Sequence, residues 1–171
     1  MTFGLIAIGT TLVLDQLSKW IVLRALGPNG SRDVVEIIPG ILNFNFVRNT
    51  GSAFGLFQGG SEWLKILAIF AVVLLAIYYV RQASKDWVLA LALGLQVGGA
   101  LGNIIDRFRY GYVVDFIDLP RWPTFNIADS AITVGVVLLM YALLFRDHEQ
   151  LAVKRESSGR SSLTTVAGDE G

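Results

Sequence analysis

The sequence predicts an all-α polytopic membrane protein with four transmembrane helices and a small β element. Three observations predict it. Of 171 residues, 53% are hydrophobic and only 16% are charged, outside the balance of an ordinary soluble domain. Four segments approach the roughly 20 apolar residues needed to cross a bilayer core: Phe3 to Leu26, Trp63 to Val80, Trp87 to Ile105 and Phe125 to Phe145. Between the start of the third and the early part of the fourth lie Asp106, Asp115, Asp118 and Asp129. Carboxylates placed between two such apolar segments need a reason.

Composition also excludes several classes. Acidic and basic residues balance at a formal net charge of zero, and the cations are dispersed, so no nucleic-acid partner is expected. With no Cys, there are no disulfides, thiolate metal sites or cysteine nucleophiles. The single His, His148, sits in a polar tail. Residues 1–145 read as one membrane domain, and residues 146–171, rich in Ser, Gly and charge, as a disordered tail.

The first segment lacks a basic n-region and a small-residue cleavage site, so it reads as a retained helix rather than a signal peptide. Asp15 and Lys19 lie four apart and share a helix face. Charge within a membrane span points to a functional site or to an inward-facing pair that locks packing, with Lys19 snorkelling toward the nearer interface. After this helix, Leu42 to Phe46 alternates apolar and polar residues, and Asn49-Thr50-Gly51 supplies a turn before Ser52 to Phe57. That pattern predicts a hairpin or curved sheet, with Phe44 and Phe46 as interfacial anchors and an exposed strand edge as a possible peptide-binding element.

The second span shows no chemistry of its own and reads as scaffold. In the third, Gly94, Gly98 and Gly102 recur every four residues, a ridge that lets a neighbouring helix approach closely. The same face continues to Asp106, with Asn103 beside it. Asp129, four residues into the fourth segment, lies about 6 Å along a helix rising 1.5 Å per residue, near the membrane surface that the end of the third helix also reaches.

Familiar nucleophile and metal motifs are missing: there is no G-x-S-x-G elbow, H-E-x-x-H helix or set of His ligands. Ser61 and Lys65 have the spacing of a Ser-Lys pair, but Ser before a helix is better read as an N-cap. Carboxylates remain. Two of them a few ångströms apart share a proton, one serving as base for water and the other as acid for a carbonyl. Asp115 follows Tyr112-Val113-Val114, an apolar stretch that would raise its pKa and suit it to acid-base work. Asp106, beside Arg107, reads as a charge-paired helix end, and Asp118, before Leu119-Pro120, as a turn residue. The residues alone leave the pairing open.

Five ordered blocks resemble the lipoprotein signal peptidases, the bacterial signal peptidase II family of membrane aspartyl endopeptidases. They are Asp15-Gln16 with Lys19, Val47 to Phe54, Gly98 to Asn103 with Asp106-Arg107, Val113 to Phe116, and Phe125 to Asp129. The resemblance implies a catalytic dyad at Asp115 and Asp129. It implies that Asn49, Asn103, Arg107 and Asn126 line the site, and that Asp15, Lys19 and Asp106 support it. The implied substrate is a prolipoprotein carrying diacylglyceryl-Cys, cut before that Cys, without metal or organic cofactor. The implied setting is the bacterial inner membrane, with membrane lipid as partner, a β-cradle and the site on the extracytoplasmic side, both termini cytoplasmic, and a monomeric chain. The rival class is a small transporter or proton relay using Asp15, Lys19 and Asp129; against it stand the missing inverted repeat and the Asp cluster at one surface.

Overall fold

The computed structural model describes residues 2–28, 30, 34–51 and 86–146, together with helical positions 66, 69–70, 72–75 and 77–78. Much of the second predicted span, the stretch Ser52 to Phe57, the Ser61/Lys65 pair and the tail beyond 146 lie outside the described residues. Among those residues three helices are long and apolar enough to cross a membrane. They are α1 (Thr2–Ala25), α2 (Trp87–Tyr110) and α3 (Ile127–Tyr141), the last widening into a π turn over Ala142–Arg146.

α2 is the centre of the bundle. Of its most apolar stretch 67% is buried inside the protein, against 28% for α1 and 17% for the stretch Ile127–Leu144. Its glycines explain why two helices can press on it. A methyl group at Gly94 would stand 2.5 Å from the carbonyl oxygen of Gly4, and one at Gly98 would stand 2.9 Å from that of Ile8. One at Gly102 would strike the Asp15 carboxylate. The four-residue ridge therefore receives α1, whose buried residues Gly4, Ala7, Thr11, Asp15, Lys19 and Val22 form the complementary stripe. Gly99, one step round, takes α3 at Ala128 and Ile132. Lipid tails are as apolar as the side chains, so close backbone approach of this kind, rather than hydrophobic exclusion from water, holds such helices together. Leu75 and Tyr78 pack on Ala90 and Leu93 of α2.

Helix ends follow from local sequence. Asp86 caps α2 by accepting from the Val88 backbone N–H at 2.7 Å. Gly111, at φ 81°, turns the chain out at the other end and donates to the Arg107 carbonyl, a left-handed C-terminal cap that glycine adopts freely. α2 thus runs one turn beyond the Ile105 limit predicted for it.

The β element is an antiparallel three-stranded sheet of β1 (Val34–Ile38), β2 (Leu42–Asn49) and β3 (Val113–Asp118), in that order. The first two form a hairpin turning at Pro39-Gly40, with Gly40 at φ 71°. The sequence reading found β2 but missed this turn and both partner strands. β3 brings the acidic connection into the sheet, pairing Val47 with Asp115 and Asn49 with Val113. Asp118 accordingly ends a strand and does not occupy a turn. Phe125 then bridges back to Ile117, donating to its carbonyl at 3.1 Å.

Phe44 and Phe46 are not free interfacial anchors. They pack under the sheet against Val22, Leu26, Val114 and Phe116. Phe44 meets Phe116 edge-on at 5.6 Å, and Phe46 meets Tyr112 edge-on at 6.3 Å, geometries that ring quadrupoles favour. This small core fastens the sheet to the end of α1, and so fixes Asp115 relative to the helices.

Candidate active site

Four buried polar residues open the site at the level of α1. Asp15 is fully buried and Lys19 is 2% exposed. Lys19 Nζ lies 2.9 Å from Asp15 Oδ2 and 2.9 Å from Asp106 Oδ2, and donates to Asn103 Oδ1 at 3.0 Å. An ammonium has three protons, and each has an acceptor. Lys19 does not snorkel: two carboxylates and an amide hold it inside the bundle. The close ion pair of Asp106 is with Lys19, and the adjacent Arg107 interacts with it through its charge without a close contact. Asp106 also accepts from the Val114 backbone N–H at 3.1 Å and from Gln16 Nε2 at 3.1 Å, tying α2 to β3 and α1. Gln16, for which the resemblance implies no role, also donates its amide to Asp15 and to the Gly102 carbonyl, both at 3.2 Å.

The start of α3 gathers the other partners. Asn126 is its N-cap: the Asn126 Oδ1 accepts from the Asp129 N–H at 2.9 Å, and the Asp129 carboxylate accepts from the Asn126 N–H at 3.3 Å. This reciprocal capping box satisfies two orphan donors of the first turn. Asp15 reaches across from α1 to accept a third, the Ala128 N–H, at 3.0 Å. Negative groups at a helix N-terminus are also favoured by the helix dipole.

Because Asn126 Oδ1 is committed to the cap, its amide nitrogen faces the other way. It donates to Asp115 Oδ1 at 2.7 Å, with Asn103 Oδ1 at 3.1 Å and the Val114 carbonyl at 3.3 Å. Asp115 is 1% exposed, and its second oxygen accepts from Asn49 Nδ2 at 2.8 Å. Asn49 is placed for this by the end of β2 and by its own turn, in which its Oδ1 accepts from the Gly51 N–H at 2.8 Å. Asp129 Oδ1 accepts from Asn103 Nδ2 at 2.8 Å. Burial pushes the Asp115 carboxyl up to about 6, and the charge of Asp129 adds to the rise, while the Asn49 and Asn126 hydrogen bonds hold it down. Arg107 donates to the Asn103 carbonyl at 3.2 Å and interacts electrostatically with Asp129, Asp115 and Asp106.

Every residue expected at the site is thus in one connected cluster: Asp15 and Lys19 from α1, Asn49 from β2, Asn103, Asp106 and Arg107 from α2, Asp115 from β3, and Asn126 and Asp129 at the start of α3. What sequence missed were backbone groups, the N–H of Val114 and of Ala128, which carry no side-chain signal.

Three apolar helices, each long enough to cross a membrane, gather a polar cluster that contains Asp115 and Asp129, the pattern of a membrane protein with a polar site. Residues 7–145 match the family model of signal peptidase (SPase) II. The chain belongs to the signal peptidase II family. It is 41% identical over 151 residues to the lipoprotein signal peptidase of Moorella thermoacetica, covering 88% of this chain and 97% of that one. It is 44% identical over 133 residues to that of Syntrophomonas wolfei, covering 78% and 87%. A solved bacterial membrane enzyme, determined by the in meso method at 1.9 Å, superposes with a TM-score of 0.76 at 33% identity over 85% of this chain and 94% of that chain.

Proposed function

We propose that this protein removes signal peptides from prolipoproteins, and that it does so as an aspartic endopeptidase with Asp115 and Asp129 as the reacting pair. The observation that carries the reading is that one residue, Asn126, hydrogen-bonds both carboxylates, holding two like charges close in a largely buried setting. Such a pair retains one proton between them. Asp115, raised to about 6 by burial, is the natural holder of that proton, and Asp129 is the base.

In the reaction, Asp129 takes a proton from water as the water oxygen bonds to the scissile carbonyl carbon. Asp115 gives its proton to the carbonyl oxygen. Collapse of the tetrahedral species breaks the C–N bond, the Cys amine takes a proton, and the pair returns to its singly protonated state. Asn49 and Asn126, bonded to Asp115, and Asn103, bonded to Asp129, keep the two carboxyls oriented.

The substrate is a precursor whose Cys bears diacylglyceryl, cut just before that Cys. The lipid chains keep it at the bilayer, since each buried methylene contributes about 0.8 kcal/mol. The enzyme acts as a single chain in the bacterial inner membrane, with its site toward the extracytoplasmic face and both termini cytoplasmic. The reading is tested with purified protein in lipid vesicles, offered a diacylglyceryl-modified precursor and the same precursor unmodified. Release of a product beginning with lipidated Cys, at least about tenfold faster than from the unmodified peptide, is expected. Equal rates would contradict lipid-guided recognition, and ion movement without proteolysis would favour a transporter.

A further inference from the structure

Asn103 lies between two groups with opposite demands. Its Oδ1 accepts from Lys19 Nζ at 3.0 Å and from Asn126 Nδ2 at 3.1 Å, and its Nδ2 donates to Asp129 Oδ1 at 2.8 Å. A side-chain amide can be turned over with little change of shape, so something must choose its sense. The ammonium weighs most in that choice: it has donors only, its other two protons are taken by Asp15 and Asp106, and an NH2 group turned toward it would meet like charge, whereas the neutral Asn126 Nδ2 imposes the same sense through a weaker, uncharged donor. Turning the amide would also set the Asn103 oxygen against the Asp129 carboxylate. Lys19 hydrogen-bonds to neither reacting carboxylate, although its charge helps to hold the Asp115 carboxyl down; it is almost wholly buried.

We infer that Lys19 is a positioning residue that fixes the direction of the Asn103 amide and thereby guarantees Asp129 an N–H donor, assigning it the role of base. The inference rests on the peptidase reading above. A base must be ionised to take a proton from water, so the acid limb of kcat reports on it. The charged groups around this point are Asp15 and Lys19 from α1, Asp106 and Arg107 from α2, Asp115 from β3 and Asp129 itself. Arg107 attracts Asp129 by its charge, independently of which way the amide points. Lys19 acts through Asn103, so its removal and the removal of Asn103 must have the same consequence for Asp129.

The test is the pH dependence of kcat for cleavage of a lipidated precursor by vesicle-reconstituted protein. The variants are Lys19→Met, Asn103→Leu and the two combined. Lys19→Met alone leaves Asp15 and Asp106 without their cation, and an unpaired buried charge can prevent folding. Lys19→Met with Asp15→Asn removes one charge of each sign and supplies a second route. The acid limb of kcat is expected to move up by about one pH unit in each variant, with KM changed less than about twofold, and the Lys19→Met/Asn103→Leu shift is expected to match either single shift rather than their sum. A profile merely scaled down with its acid limb unmoved, or shifts that add, would overturn the inference. Wild-type protein that fails to cleave would overturn the peptidase reading instead, so the two failures are distinct.

Discussion

Asn126 donates its side-chain N–H to Asp115 at 2.7 Å while capping the helix that carries Asp129. One residue therefore sets the orientation of one carboxylate and the position of the other. Its two duties are separable by substitution. Asn126→Asp keeps a capping oxygen, and Asp is as good an N-cap as Asn, but it removes the donor to Asp115 and adds a third carboxylate. Asn126→Ala removes both functions.

Both variants are expected to lose about 10²-fold or more in kcat, because proton transfer by a positioned side chain contributes about that much. Only Asn126→Ala is expected also to lose cap stability, about 1 kcal/mol. Thermal melts in detergent alongside peptide cleavage separate the two; an active Asn126→Asp would show that the bond to Asp115 is dispensable.

The glycine ridge makes a prediction about packing. Gly94→Ala places a methyl 2.5 Å from the Gly4 carbonyl oxygen, backbone against backbone, so α1 and α2 must separate. Gly9 has nothing within 4 Å of an added methyl, and Gly9→Ala gains about 1 kcal/mol of helix propensity at most. Melting is expected to fall by several degrees for Gly94→Ala and to stay level or rise for Gly9→Ala. Equal melts for the two would remove the close-approach account of the bundle.

The pH dependence follows from Asp115. Its carboxyl is raised to about 6 by burial, and its protonated form is the one that serves as acid, so activity is present while Asp115 keeps its proton and declines as pH rises through its titration. With a peptide bound and water displaced, that titration moves further up. The alkaline limb of kcat is therefore expected at or above pH 6. A rate still climbing through pH 10 would contradict this role. The same shift has a stability consequence: the folded state holds this proton more tightly than the unfolded chain, whose carboxyl stays near 3.8. Between about pH 4 and 6 folding stability falls as pH rises, by on the order of 1–3 kcal/mol at most.

Some of this was legible in residue order and some was not. The Gly94, Gly98 and Gly102 ridge was legible because helix packing repeats with a fixed period, and the partner stripe on α1 is where that period requires it. Asp15 and Lys19 were legible as an inward pair from their four-residue spacing. Snorkelling of Lys19 is what α1 taken alone predicts; Asp106, 87 residues later in the chain, holds it in. β3 was illegible as a strand because its sequence, Val113 to Asp118, is short and its pairing with β2 joins segments far apart. The desolvation of Asp115 could nonetheless be inferred from its apolar neighbours. Asn126 is a site residue by the resemblance alone, and its capping of α3 and its bridging of Asp115 and Asp129 depend on the fold of three elements.

The central claim is that Asp115 and Asp129 act together, and carboxamide replacement tests it most directly. Asp115→Asn and Asp129→Asn keep shape and volume but cannot exchange the shared proton. Cleavage of the lipidated precursor by each purified, vesicle-inserted variant, measured with its melting temperature, is the decisive experiment. Each is expected to lose about 10³-fold or more in kcat while remaining folded and inserted; a folded variant that retains near-normal cleavage would contradict the account.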